Sequence, residues 1–240
     1  MAPVRTADVG GWTDTWFART GTVCNIALAQ HATVRIRAWH PDAGGGGATR
    51  RRRAPSGGVR LVVAMSGEVY EFEPLDASAL PGRHPMLEAA VAALPPPTPV
   101  TVELGDDVVL GGGLGGSAAV LVALVAALST LRDEGRGPLD LARLAHRCEV
   151  GAGRETGVQD HIAAAFGGIS AIEVAYPDAA RAEVLPDPST RSALQRRLLT
   201  VSFGRAHSSS DVHREVIGRL SSPGGSATLV ALDRIRAAGP

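Results

Sequence analysis

Apolar and polar positions alternate with the spacing of strands in some segments of the chain and of helices in others. Apolar residues recur at every second position near residues 33–37, and residues 23–39 are interpreted as one long strand or two abutting strands. Other strands are predicted at residues 3–9, 59–64, 68–73, 100–104, 169–175, 182–185 and 198–203, with a hairpin joining the second and third of these. Helices are predicted at residues 84–94, 115–131, 139–149, 159–166, 209–220 and 226–238. This mixture predicts an α+β fold, with a change to a second α+β unit near residue 168.

A glycine-rich segment leads directly into the longest predicted helix. This segment precedes a run of Ala, Leu and Val that has no helix breaker, and it contains Gly111, Gly112, Gly113, Gly115, Gly116 and Ser117. Glycine lets a backbone approach a ligand closely, and the first N–H groups of a helix are unpaired and lie at the positive end of its dipole. The segment predicts a phosphate-binding anion site, and a glycine-rich turn before a buried helix is the alternative. It is not a Walker A loop, because no lysine precedes Ser117 and the chain contains none.

Composition adds few constraints. The 24 basic residues, all Arg, balance 24 acidic residues, which favours neither a nucleic-acid partner nor a membrane surface. Cys24 and Cys148 have no metal-ligand spacing and suit a reducing compartment, so we expect a cytoplasmic protein. Residues 41–58, rich in Gly and Arg, are interpreted as a solvated loop, with contact to a phosphorylated substrate as the alternative.

Five side chains supply parts that phosphoryl transfer requires. The reaction needs donors around the phosphates, oxygen ligands for a metal ion, a carboxylate near the acceptor hydroxyl and a cation near the developing charge. Ser117 and Glu149 are candidate Mg²⁺ ligands, because Mg²⁺ takes oxygen ligands that include one or two carboxylates. Asp160 opens a predicted helix, where it could equally serve only to complement the helix dipole. Arg5 and Asp14 flank the first strand and its loop, and a surface ion pair is their alternative interpretation.

The glycine segment resembles the second motif of the GHMP kinases, which include galactokinase, homoserine kinase, mevalonate kinase and phosphomevalonate kinase. Residues 111–119 read Gly-Gly-Gly-Leu-Gly-Gly-Ser-Ala-Ala, against the family pattern Pro-x-Gly-x-Gly-Leu-Gly-Ser-Ser-Ala. Val109 replaces the Pro, and Gly116 replaces the first Ser. Glu149 and Asp160 are eleven residues apart, like the metal-binding Glu and the catalytic Asp of mevalonate kinase.

Other segments resemble particular branches of this family. Residues 157–160, Gly-Val-Gln-Asp, with Phe-Gly-Gly at 166–168, are similar to the sugar-kinase branch. Residues 5–14, Arg-Thr-Ala-Asp-Val-Gly-Gly-Trp-Thr-Asp, are similar to the first galactokinase motif, and their second half resembles the fucokinase and heptose 7-phosphate kinase branch. Residues 203–210 are similar to a later segment of that branch.

The resemblance implies a fold, an activity and a set of site residues. The fold would have a ribosomal-protein-S5-like N-terminal domain at 1–168, holding the phosphate loop, and a partial C-terminal α+β domain at 169–240. The activity would be that of an ATP- and Mg²⁺-dependent sugar kinase, with Asp160 and Arg5 catalytic and with Ser117 and Glu149 on the metal. ATP is expected on Gly111, Gly112, Gly113, Leu114, Gly115, Gly116, Ser117 and Ala118. The sugar or sugar phosphate is expected on Asp14, Gly11, Trp12 and Gln159.

A third family motif has no counterpart in this sequence. GHMP kinases carry a late glycine-rich segment, Gly-Ala-Gly-Gly-Gly, which does not occur before Pro240. We therefore expect a C-terminally shortened family member and, because an incomplete sheet leaves apolar surface uncovered, either homo-oligomerisation or reduced stability. The alternative to a working kinase is a kinase-derived sugar- or nucleotide-binding protein with little or no turnover.

Overall fold

The computed structural model describes residues 1–39, 54–55, 58–64, 66–74, 82–105, 111–177, 181–184, 187–201, 209–222 and 225–237. In this part of the chain the strands are β1 (Ala2–Val9), β2 (Thr20–Ala32), β3 (Val34–Ala38), β4 (Val59–Val63), β5 (Glu68–Phe72), β6 (Val100–Leu104), β7 (Ile169–Ala175) and β8 (Arg181–Val184). The helices are α1 (Pro85–Ala93), α2 (Gly116–Leu131), α3 (Pro138–Gly151), α4 (Gln159–Phe166), α5 (Pro188–Arg197), α6 (Ser209–Leu220) and α7 (Gly225–Ala237). The predicted α+β fold is confirmed.

The strands form two four-stranded sheets. One has the order β1-β2-β7-β8 with antiparallel neighbours throughout. The other has the order β3-β6-β4-β5, in which β4 runs parallel to β6 and the remaining pairs are antiparallel. Strands β2 and β3 are separated only by Thr33 and belong to different sheets. The segment interpreted as one long strand or two abutting strands is therefore two strands.

Helix α2 forms the centre of the core. Its apolar residues point in all directions and most are buried, with Leu121, Leu124 and Leu128 among the largest fully enclosed side chains. It contacts both sheets and α1, α3 and α4, and burial on every side favours its largely apolar sequence. The glycine segment at its N-terminus is thereby held on a rigid element.

The C-terminal helices α6 and α7 pack on each other and are anchored to the start of the chain. Arg236 of α7 donates hydrogen bonds of 2.9 Å to the backbone oxygens of Ala18 and Thr20. These two carbonyls belong to the segment that enters β2, so the contact joins the C-terminal helices to the first sheet.

Most predicted elements are confirmed to within two or three residues at their ends, including the hairpin of β4 and β5. The strand predicted at 198–203 is wrong over its described residues, since 198–201 are irregular and follow helix α5, which was not predicted. Leu199 is 82% exposed, so this apolar run does not mark a buried strand. Residues 40–53, 65, 109 and 203–208, which include parts of the sequence interpretation, lie outside the described residues. The domain boundary near residue 168 stays a prediction.

None of the helices in the described part of the chain is long and apolar enough to cross a membrane.

Candidate active site

A cleft of about 820 Å³ brings together residues from both ends of the chain. Three sets of groups line it. The first is the glycine segment, the second is a group of charged side chains, and the third is apolar. The charged and apolar sets include Arg5, Asp14, Glu149, Asp160, Val63, Met86, Leu104 and Val120. A cleft that combines apolar walls with a few convergent polar groups is the usual form of a small-molecule site.

The glycine segment has the geometry of a phosphate-binding loop. Gly115 caps α2 in the left-handed conformation, with φ of 68°, and no side chain among the described residues satisfies this helix start. A Cβ at Gly115 would lie 3.2 Å from Oδ2 of Asp160, so glycine also allows the loop to approach that carboxylate closely. The first N–H groups of a buried 16-residue helix are thus open to an anion.

Arg5 ties this loop to strand β1 through backbone and side chain. Its backbone N–H donates to the oxygen of Leu114 at 2.9 Å, and its Nη1 donates to the oxygen of Gly113 at 2.9 Å. Its Nε donates to Oδ1 of Asp160 at 2.7 Å, in a pair whose side chains are 13% and 24% exposed. Arg5 therefore pairs with Asp160 across the cleft, and the alternative of a surface ion pair with Asp14 does not apply.

Asp14 is a buried carboxylate, only 2% exposed. Its Oδ2 accepts from the backbone N–H of Gln159 at 3.1 Å, and its Oδ1 accepts from Nε2 of the same residue at 3.2 Å. Burial and, after it, the negative charge of Asp160 raise the pKa of Asp14, while the hydrogen bonds from Gln159 and the charge of Arg5 lower it; the net result is a pKa of about 6. The carboxylates of Asp14 and Asp160 thus lie on the same side of the cleft, and the positive charge of Arg5 partly compensates their negative charge.

Ser117 and Glu149 lie together on the cleft wall, on α2 and α3. Burial alone would raise the pKa of Glu149, but His161, the Ser117 hydroxyl and His146 outweigh it and hold that pKa below its ordinary value. Oε2 of Glu149 is 2.8 Å from Nε2 of His161, with side chains 8% and 1% exposed, but the two atoms are not aligned as a hydrogen bond. The carboxylate is therefore charged, buried and not fully hydrogen-bonded by the described residues.

This donor set fits Mg²⁺, which prefers oxygen ligands and keeps several waters. The described residues contain no group of three or more His, Cys, Asp or Glu side chains arranged for a metal ion. A hydroxyl and one carboxylate beside a phosphate loop suit an ion that takes its remaining ligands from water and phosphate oxygens.

Aromatic side chains form another part of the cleft wall. Trp12 and Gly11 line the cleft in the turn between β1 and β2, and Trp12 has a φ of 77°. The ring of His213, from α6, lies 4.9 Å from the Trp12 ring and 5.8 Å from the Trp16 ring. Sequence reasoning missed His213 and His161, because each meets its partner through the tertiary fold and no local spacing signals the contact.

The structure places most of the predicted site residues on this cleft, and three lie off its lining. Gly112 is exposed, Ala118 is buried in the core, and Leu114 contributes its backbone oxygen to Arg5. Gln159 lines the cleft and holds Asp14, while its Oε1 accepts from Asn25 at 3.3 Å. The cleft thus combines an anion site at the start of α2, a pair of oxygen ligands that suits a metal ion, and the Arg5–Asp160 ion pair beside the carboxylate of Asp14.

Comparison with known protein families gives a match for part of the chain. Residues 84–168 match the family described as GHMP kinases N terminal domain. A search of curated protein sequences found no significant match.

Solved structures share the fold over nearly the whole chain. A D-glycero-D-manno-heptose 1-phosphate kinase from Bacteroides thetaiotaomicron is 16% identical with a TM-score of 0.64, and the match covers 98% of this chain and 75% of that one. The mevalonate kinase of Methanococcus jannaschii is 12% identical with a TM-score of 0.64 and coverages of 97% and 69%. The Lactococcus lactis galactokinase, solved with galactose, is 18% identical with a TM-score of 0.60 and coverages of 99% and 65%. Segment 84–168 thus matches the N-terminal domain of the GHMP kinases, and the chain shares its fold with these solved kinases.

Proposed function

We propose that the chain is an ATP-dependent sugar kinase that phosphorylates a hydroxyl group, at the anomeric position, of a sugar or sugar phosphate such as fucose or heptose 7-phosphate. The observation that carries the proposal is the contact of Arg5 with both Asp160 and the glycine loop. It joins a candidate base and a cation to a phosphate site within one cleft. The heptose and galactose kinases with the same fold, and the first-motif resemblance to the fucokinase branch, support a sugar as acceptor.

Each of the chain's own groups has a defined task in this proposal. Asp160 accepts or orients the proton of the acceptor hydroxyl, and Arg5 stabilises negative charge that develops beside the loop. Asp14 accepts hydrogen bonds from sugar hydroxyls. The N–H groups at the start of α2 hold phosphate oxygens.

Two groups that bind from solution complete the site. Bound ATP would supply the phosphoryl group, and Mg²⁺ held by Ser117 and Glu149 would neutralise charge on the phosphates.

The test is ADP release, measured by a coupled assay with fucose, heptose 7-phosphate, galactose and arabinose. Asp160→Asn should lower kcat by at least about 100-fold for the sugar that is turned over, since positioned acid–base groups contribute about 10²–10⁴-fold. Asp140→Asn is the matched control, because Asp140 is an exposed carboxylate in the first turn of α3 and has the same relation to a helix dipole.

Equal activity of Asp160→Asn and Asp140→Asn would reduce Asp160 to a dipole-compensating residue and overturn its proposed role. If none of the four sugars causes ADP release, the sugar-kinase proposal is overturned and a binding protein without turnover is favoured.

A further inference from the structure

We infer that His213 determines acceptor specificity by accepting a hydrogen bond from a sugar hydroxyl, an inference that rests on the proposed sugar-kinase function. His213 lies on α6, far along the chain from the residues of the phosphate loop. Its half-buried ring nevertheless lines the same cleft as Asp14 and Asp160. Helix α6 thus brings a polar side chain to the acceptor site that no motif of the sequence indicated.

The ring of His213 is held from three sides. Its Nδ1 is 2.8 Å from the backbone oxygen of Glu155. Its edge-to-face contacts with Trp12 and Trp16 have interplanar angles of 65°. The ring cannot turn without losing these contacts, so its orientation is fixed before a ligand binds.

This orientation also sets the tautomer of His213. A carbonyl oxygen only accepts hydrogen bonds, so the neutral ring carries its proton on Nδ1 and donates it to Glu155. Nε2 is then an acceptor with a free lone pair on the opposite edge of the ring. A ligand group that pairs with Nε2 must donate a hydrogen bond, which a hydroxyl does.

Trp12 provides the apolar counterpart of this polar edge. A tryptophan with φ of 77° is unusual, and a left-handed non-glycine residue costs about 1–3 kcal/mol, which the surrounding structure must offset. The hydroxyl of Thr15 donates to the Trp12 backbone oxygen at 2.8 Å and supports this turn. The flat indole matches the C–H face of a sugar ring, while His213 and Asp14 both accept hydrogen bonds from hydroxyls at its edge.

These groups select a hydroxyl-bearing part of the acceptor over a phosphate. A phosphate dianion has no hydrogen-bond donor for either acceptor, and it would be repelled by Asp14 and Asp160. If the acceptor is a sugar phosphate, its phosphate lies away from the wall formed by Trp12 and His213.

The experiment compares His213→Phe, which keeps a ring against the tryptophans, with His213→Gln, which restores a hydrogen-bond acceptor. Sugar binding without ATP is followed by tryptophan fluorescence, because Trp12 and Trp16 both contact His213. Steady-state ADP release gives KM and kcat, and far-UV circular dichroism verifies that both variants are folded.

His213→Phe should raise both the Kd and the KM for the sugar by about tenfold, as expected for loss of one hydrogen bond to a neutral group. The KM for ATP should stay within about twofold of wild type, since the change removes binding and leaves the transfer groups intact. His213→Gln should recover at least part of the loss.

The outcomes separate this inference from the sugar-kinase proposal. If the wild type phosphorylates a sugar and His213→Phe has the same sugar KM and Kd, the inference is wrong and the kinase proposal stands. If sugars bind the wild type more tightly than His213→Phe but release no ADP, the inference stands and the kinase proposal fails. If none of the four sugars binds the wild type, both are overturned.

Discussion

A single methyl group at Gly157 tests the buried Asp14 site directly. A Cβ added to Gly157 would lie 1.9 Å from Oδ2 of Asp14 and 2.5 Å from its Cγ, which is far inside contact distance. The carboxylate cannot move freely, because it is 2% exposed and both of its oxygens accept hydrogen bonds from Gln159. Gly157→Ala must therefore displace Asp14, the backbone at 157, or both.

The cost of Gly157→Ala follows from these two constraints. Overpacking of a closed site costs about 1–3 kcal/mol. Moving the carboxylate off one Gln159 donor leaves buried polar groups unpaired, at about 1–3 kcal/mol. Because partial relaxation relieves some of both terms, we expect Gly157→Ala to lower the free energy of unfolding by about 2–4 kcal/mol.

Urea unfolding followed by circular dichroism measures this loss against a matched control. Gly151→Ala adds the same methyl group at the end of α3, where the added Cβ meets no atom within 4 Å. It should leave stability unchanged or raise it by up to about 1 kcal/mol, because alanine loses less backbone entropy than glycine. Equal unfolding midpoints for Gly157→Ala and the wild type would refute the packing argument at Asp14.

Two further predictions concern charge. Glu149→Gln removes the carboxylate proposed for Mg²⁺, so the Mg²⁺ concentration for half-maximal ADP release should rise by at least about tenfold at constant ATP, and an unchanged Mg²⁺ response would exclude Glu149 as a ligand. Burial raises the pKa of Asp14 from 3.8 to about 6, so the folded protein holds this proton more tightly than the unfolded chain. The contribution of Asp14 to stability should therefore fall as pH rises from about 4 to about 6, by up to about 3 kcal/mol. In urea unfolding at pH 4.5 to 7, Asp14→Asn should gain stability relative to wild type across this window, and a constant difference would contradict the raised pKa.

Local sequence signals predict an element correctly where glycines mark its end or where apolar residues recur with a regular period. The glycines that end at Gly116 and the uninterrupted apolar run after them define α2 to within a residue. The alternation at β6 does the same, since Val100, Val102 and Leu104 are its buried positions. In these two segments the conformational propensity of the residues, the apolar pattern and the observed burial all favour the same structure, so tertiary packing does not change the local preference.

Segments without such agreement were predicted less well. Residues 188–197 have a polar sequence with no apolar stripe, and α5 has no buried residue among them, so no period revealed that helix. Its start is instead marked by Asp187, whose side chain accepts from the backbone N–H of Ser189 at 2.9 Å, with Pro188 in the first turn. An N-cap signal is present there, but the apolar side chains of Leu198, Leu199 and Val201 favour a strand in the segment that follows.

The candidate site was predictable in its members and not in its pairings. The motif resemblance identifies Arg5, Asp14 and Asp160, but no local pattern indicates that Arg5 pairs with Asp160 and not with Asp14. The partners of Glu149 and Trp12 come from other helices, as His161 and His213. Such contacts depend on how helices are placed in three dimensions, which no spacing along the chain encodes.

The double attachment of Arg5 has a mechanical consequence. Its backbone holds Leu114, its guanidinium holds Gly113, and the same strand runs on into the turn that contains Asp14. A displacement of the loop would therefore be transmitted through β1 to the turn that holds Asp14. The distance between the glycine loop and Asp14 thus depends on one continuous β-strand, which couples the two sides of the cleft directly.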